Sequence, residues 1–130
     1  MTLNYAVVLG EIKESSQNRS MKMIETNIDD MSPELLGYVQ EKLFLIGARD
    51  VWFTAIQMTK NRPGTMLSAL VPVELESEAA ELIFNETTTL GIRTRKISRF
   101  EADREIVEVM TNFGAVRVKL KKIENKISCL

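Results

Sequence analysis

From Met21 to Ile97 the sequence alternates strand-like and helix-like runs in the order β-α-β-β-α-β, and this order constrains the fold more than any other feature. "MKMIETNI" reads as the first strand. Ser32 and Pro33 follow as helix cap and first helical residue; Leu36, Val39, Leu43 and Ile46 recur at helical spacing, and Gly47 is a stop. "DVWFTAIQMTK" and "TMLSALVPV" flank "KNRPG", which predicts a hairpin whose tip is fixed by Pro63 and Gly64. A second helix is predicted over about Glu76–Glu86, with Ala79, Ala80, Ile83 and Phe84 as its apolar stripe, and "LGIRTRKI" reads as the next strand. "REIVEVMT" and "AVRVKLKKI" make a further hairpin across "NFG". The expected fold class is α+β: a ferredoxin-like split βαβ with an added C-terminal β-hairpin.

This order has a geometric consequence. If the first strand runs up, the first helix returns down and the second strand runs up again. The hairpin turn is then at the top, the third strand descends, and the second helix climbs back. The loop with Asp29 and Asp30, the "TKNRPG" turn and the "ETTTLGIR" junction therefore fall at one end, where a site is expected. Residues 1–20 read differently, as a short strand, "YAVVLGEI", and a polar linker, "KESSQNRS". A lone strand before a linker cannot form its own core, which points to the tail of a longer protein with its compact domain over 21–130.

Composition narrows the chemistry. At 130 residues with 45% apolar content, the chain is long enough for one domain with a real core. It has no histidine, which rules out a histidine triad, a histidine–zinc site and an imidazole base. A metal held by this chain should be a hard ion on oxygen ligands. The single cysteine, Cys129, rules out an internal disulfide framework and points to a reducing cytoplasm. No apolar run is long enough for a membrane span, so no membrane partner is expected. The net charge of −1 conceals an asymmetry: residues 1–90 hold 7 basic and 13 acidic residues, residues 91–130 hold 10 and 5. The basic hairpin Arg117–Lys122 has few aromatics between its charges, which speaks against nucleic acid; a polyanion could meet this basic end, but a solvated face is the plainer reading.

Three loops carry the candidate chemistry. Asp29 and Asp30 are adjacent on a strand-to-helix corner. They suit either compensation of the helix dipole or a Mg²⁺ or Mn²⁺ ion shared with substrate phosphates. Lys60, Asn61 and Arg62 lie on the turn closed by Pro63 and Gly64, where the two cations suit phosphate oxygens and a solvated tip is the plainer reading. Thr87, Thr88 and Thr89 end the second helix, Gly91 lets a backbone approach a ligand, and Arg93 and Arg95 share a face of the next strand. Glu86, just before the threonines, is a further candidate metal ligand. Met21, Met23, Met58 and Met66 read as core or interface filler, and Trp52 and Phe53 as core or subunit contact.

"NIDDMSPELLGYVQEKLFLIGARDVWFTAIQMTKNRPGTMLSAL", "IFNETTTLGIR" and the later "FGAVRVKLKK" closely resemble the C-terminal domain of the LarC family, over about Ile24 to Lys122. The resemblance implies nickel insertion into pyridinium bisthiocarboxylic acid mononucleotide, giving the nickel-pincer cofactor of lactate racemase. It implies CTP with Mn²⁺ or Mg²⁺ as cofactors and nickel as the metal inserted. The implied partners are the precursor mononucleotide and the family's larger N-terminal part; separately, an apolar β-surface with a single tryptophan, Trp52, points to further copies of the chain. On that basis Asp29 and Asp30 would contact the metal on the triphosphate, Lys60 and Arg62 would neutralise phosphate charge, and Thr87–Thr89, Gly91 and Arg93 would complete the cradle. Two other classes compete: a CTP-sensing or oligomerisation module without catalysis, and an RNA-binding module sharing only the fold.

Overall fold

The computed structural model describes residues 20–123 and 126–129. They divide into two compact units, one spanning Ser20–Ser98 and the other lying after it. Residues 5–12, expected to form a short strand, lie outside the described residues, as does the linker that follows them.

The first unit contains β1 (Ser20–Ile28), α1 (Pro33–Ile46), β2 (Asp50–Gln57), β3 (Pro63–Pro72), α2 (Glu76–Glu86) and β4 (Arg93–Ser98). Its sheet has the order β2-β3-β1-β4 with every neighbouring pair antiparallel, the ferredoxin-like arrangement that the element order predicts. Alternation along β1 divides its side chains between two faces. Ile24 and Ile28 join Leu36, Val39 and Leu43 of α1, Ala79 and Ile83 of α2, Val51 of β2, and Leu67, Ala69 and Val71 of β3 in one buried cluster. Met21 and Met23 point the other way and form a smaller cluster with Leu70 and Ile97.

Local chemistry explains both ends of α1. The Ser32 hydroxyl accepts the Leu35 amide at 3.3 Å, and Pro33 occupies the first turn. Gly47 closes the helix at φ 117°, and a Cβ there would stand 2.8 Å from Leu75. In α2 the stripe differs from expectation. Phe84 is half-exposed, and Leu82 packs against the core beside Ala79 and Ile83. The reason is rotation: residues 79, 82 and 83 share a helical face, while residue 84 lies a further 100° around it.

The hairpin tip also differs. The chain turns through a short 3₁₀ segment at Thr59–Asn61, and Pro63 and Gly64 already belong to β3. Proline disfavours the helical region for the residue before it. Arg62 is accordingly extended, and the reversal moves upstream to Lys60 and Asn61, both at positive φ.

The second unit is a three-stranded antiparallel sheet, β5 (Asp103–Thr111), β6 (Gly114–Ile123) and β7 (Lys126–Cys129), in sequence order. Strands β5 and β6 form the expected hairpin; β7, pairing Leu120 with Cys129 through Ile123 with Lys126, is an addition. Among the described residues no helix is long and apolar enough to cross a membrane.

Candidate functional site

Strand β1 leaves the sheet at Ile28, and its alternation carries the two aspartates to different neighbours. Asp29 meets the β2–β3 hairpin, with Arg62 Nη1 at 3.6 Å from its Oδ2. Asp30 meets the loop after α2, where the Thr88 hydroxyl donates to its Oδ1. The three loops expected at one end are thus joined there by side-chain contacts. Neither contact closes off its carboxylate, because a carboxylate offers about four acceptor sites.

The threonines play three different roles. Thr87 donates from Oγ1 to the Ile83 carbonyl at 2.7 Å and so seals the end of α2. Thr89 shares a 2.6 Å hydrogen bond with Thr26, and both hydroxyls reach the Gly91 carbonyl at 2.9 Å. Thr26 is buried on β1, so this triangle pins the loop to the sheet on its helix-covered side. Thr88 alone turns to the acidic pair. Sequence reasoning misses Thr26; its only signal is a hydroxyl interrupting the alternation Ile24, Thr26, Ile28.

Lys60, Asn61 and Arg62 are exposed on the hairpin. The Met58 amide donates to the Arg62 carbonyl at 2.7 Å and closes the turn. Gly64 is closely packed: a Cβ there would stand 2.5 Å from Met58 Sδ and 3.1 Å from the Ile28 carbonyl oxygen. Gly91 is different, with nothing within 4 Å of an added Cβ.

Two candidates are held elsewhere. Glu86 pairs with Lys42 at 3.1 Å and bridges α2 to α1. Tyr38, beside Lys42, and then Glu86 push the Lys42 ammonium above its ordinary pKa. Arg93 turns to the sheet face away from the helices. There its Nη2 donates to Asn27 at 3.0 Å and reaches Glu25 Oε2 and Met66 Sδ at 3.5 and 3.1 Å. Among the described residues no three His, Cys, Asp or Glu side chains gather to hold a metal ion by themselves. An ion at the loop end would take one or both aspartates and complete its shell with ligand oxygens and water, as Mg²⁺ commonly does.

Comparison with known proteins gives the family and the fold. The family model described as nickel insertion protein matches residues 2–129. A putative nickel insertion protein of Dictyoglomus thermophilum is 46% identical over 117 residues, 90% of this chain and 30% of its own length. A pyridinium-3,5-bisthiocarboxylic acid mononucleotide nickel insertion protein of Acetivibrio thermocellus is 49% identical over 113 residues, 86% of this chain and 28% of its own. The chain thus spans under a third of the length of these relatives. Among solved structures, the apo form of LarC2, the C-terminal domain of a cyclometallase involved in the synthesis of the NPN cofactor of lactate racemase, superposes with a TM-score of 0.81. It is 40% identical, with 85% of this chain and 77% of that one covered. A protein of Methanopyrus kandleri, 21% identical with a TM-score of 0.66 over 88% of this chain and 72% of its own, shares the fold. The chain belongs to the nickel insertion protein family of nickel-pincer nucleotide cofactor synthesis.

Proposed function

We propose that the loop end of the first unit binds a metal–CTP complex in the service of nickel insertion into pyridinium-3,5-bisthiocarboxylic acid mononucleotide, with nickel as the substrate metal. The observation that carries the reading is the arrangement of the adjacent carboxylates. Asp29 is held by Arg62 and Asp30 by Thr88, each with acceptor capacity left over. Such orienting contacts are what a metal-binding carboxylate needs from its surroundings. All the donors are oxygen atoms, which fits Mn²⁺ or Mg²⁺. When bound, the ion neutralises phosphate charge and acts as a Lewis acid.

The chain's own residues do the rest. Lys60 and Arg62 bring two cations to the same end and counter the charge of a triphosphate. Thr88 orients Asp30, while the Thr26–Thr89–Gly91 triangle keeps the loop backbone in place for close approach. In this reading the cytidylyl group passes from CTP to the phosphate or a thiocarboxylate of the precursor, with release of pyrophosphate, and the activated precursor is then metallated. The remaining two thirds of the relatives' length supplies the larger partner region that delivers nickel.

Calorimetric titration of CTP, with ATP as control and with or without Mn²⁺, tests the proposal. The chain is expected to bind CTP in a metal-dependent, CTP-selective manner. Asp30→Asn should weaken that binding at least about tenfold, the loss of about 1.4 kcal/mol. Unchanged binding by Asp30→Asn removes Asp30 from the site. No binding by a folded wild-type chain overturns the placement of the nucleotide in these residues.

A further inference from the structure

The face of the first sheet that turns away from the helices carries a second cluster of charge that the loop end does not use. Register sets Arg93 opposite Glu25 and Arg95 opposite Met23, so the two arginines lie one pleat apart on the same face. Glu25 is the one buried charged residue among the described residues of the unit, with 12% of its side chain exposed. Its two oxygens go to different partners: Oε1 receives Arg95 at 2.7 Å, and Oε2 lies 3.5 Å from Arg93. Asn27 gives Arg93 a further acceptor at 3.0 Å.

One carboxylate against two guanidinium groups leaves a surplus positive charge. A carboxylate needs one arginine for charge balance, since a single guanidinium can pair with it through two parallel bonds. The second cation is therefore surplus to charge balance, although each arginine meets its own oxygen of Glu25. Both arginines remain open, with 53% and 65% of their side chains exposed. Each guanidinium carries five N–H donors, and Arg93 uses one nitrogen for all of its side-chain contacts. Between them lies a cleft of about 90 Å³ lined by Met23, Glu25, Arg93, Thr94 and Arg95. That is room for one small anionic group. The triphosphate has its own cations in Lys60 and Arg62 on the hairpin, so this pair serves a different anion.

We propose that Arg93 and Arg95, held in place by Glu25, form an anion subsite on the sheet face opposite the helices that takes a phosphate or carboxylate-type group of the mononucleotide substrate. The inference rests on the reading of the chain as part of a nickel insertion protein. The substrate class named for the relatives carries both chemistries, a nucleotide phosphate and two thiocarboxylates on a pyridinium ring. Glu25 is a positioning residue: it aims the two forks and leaves their outer N–H groups to the ligand.

The test is calorimetry on the intact chain with nicotinic acid mononucleotide, which offers a pyridinium ring, a carboxylate and a phosphate. Arg95→Gln should weaken this probe at least about tenfold while the chain stays folded, with a modest drop in melting temperature because Glu25 Oε1 loses its 2.7 Å partner and keeps only Arg93 nearby. Arg95→Lys should recover only part of the affinity, since lysine keeps the charge and loses the fork. Competition by ribose 5-phosphate assigns the cleft to the phosphate; competition by pyridine-3,5-dicarboxylate assigns it to the ring acids. If Arg95→Gln weakens Mn²⁺–CTP and leaves the mononucleotide untouched, the substrate assignment is overturned and the cleft passes to the triphosphate. Wild-type affinity of Arg95→Gln for every probe overturns the subsite altogether. Failure of the wild-type chain to bind Mn²⁺–CTP, with Arg95-dependent binding of the mononucleotide intact, removes the nucleotide site and leaves the subsite standing.

Discussion

Gly64 and Gly91 look alike in the sequence, each a glycine of a loop at the same end of the sheet, yet their surroundings differ. At Gly64 a methyl group would press on the Ile28 carbonyl, which cannot move without disturbing β1, and on the more yielding Met58 side chain. Gly64→Ala is expected to cost about 1–3 kcal/mol through overpacking, measured by urea denaturation. At Gly91 the same methyl group meets only open space. Gly91→Ala should therefore leave stability within about 0.5 kcal/mol of wild type and weaken Mn²⁺–CTP, because the added methyl occupies the approach to the loop backbone. Equal affinity in the alanine variant would show that no ligand approaches there. The contrast marks what single residues reveal: the sequence places both glycines in loops, but only tertiary neighbours distinguish a packing glycine from an accessible one. The same holds for the threonines. Thr87, Thr88 and Thr89 are one run in the chain, and contacts with Ile83, Asp30 and Thr26 give them separate roles.

The β2–β3 hairpin combines a local strain with a proposed contact. Asn61 is among the non-glycine residues that tolerate positive φ, whereas Lys60 at φ 60° is not. Such a conformation costs on the order of 1 kcal/mol or more, and glycine would remove it at an entropic cost of about 0.5–1 kcal/mol. Lys60→Gly should therefore be neutral or stabilising by up to about 1 kcal/mol, while weakening Mn²⁺–CTP several-fold. A destabilised variant, or one that binds the nucleotide as wild type does, would break the link between the strained turn and the phosphate contact. Both helices are readable to their ends because the determinants are local: Ser32, Pro33 and Gly47 for the first, the threonines for the second. The hairpin is readable as a turn but not in its register, since Pro63 pushes the reversal upstream. Strand β4 begins at Arg93 and not at Leu90 because Gly91 is drawn to Thr26, a contact 65 residues apart in the chain. Strand β7 spans only four residues, and its pairing with β6 has no signature in so short a run.

At the scale of the molecule, the order of elements carries most of the information. A β-α-β-β-α-β sequence admits the sheet order β2-β3-β1-β4, and that order alone brings Asp29, Asp30, the hairpin and the threonine loop to one end. Topology could not reveal that Arg93 would leave this group for Glu25 and Asn27, because alternation on β1 decides which face each side chain meets. The same topology distributes stability unevenly. In the first unit β1 and β3 are each paired on both sides and lie beneath the larger buried cluster. In the second unit Leu120 is the one buried apolar side chain among the described residues. Amide exchange should follow that distribution, since protection tracks buried apolar contacts and paired strands. Amides of β1 and β3 are expected to exchange only through global opening. Those of β5 and β6 should exchange at least about a hundredfold faster through local opening, a difference of about 2.7 kcal/mol. Hydrogen–deuterium exchange read by mass spectrometry resolves the two sets of strands. Uniform protection across β1, β3, β5 and β6 would overturn this uneven distribution of stability.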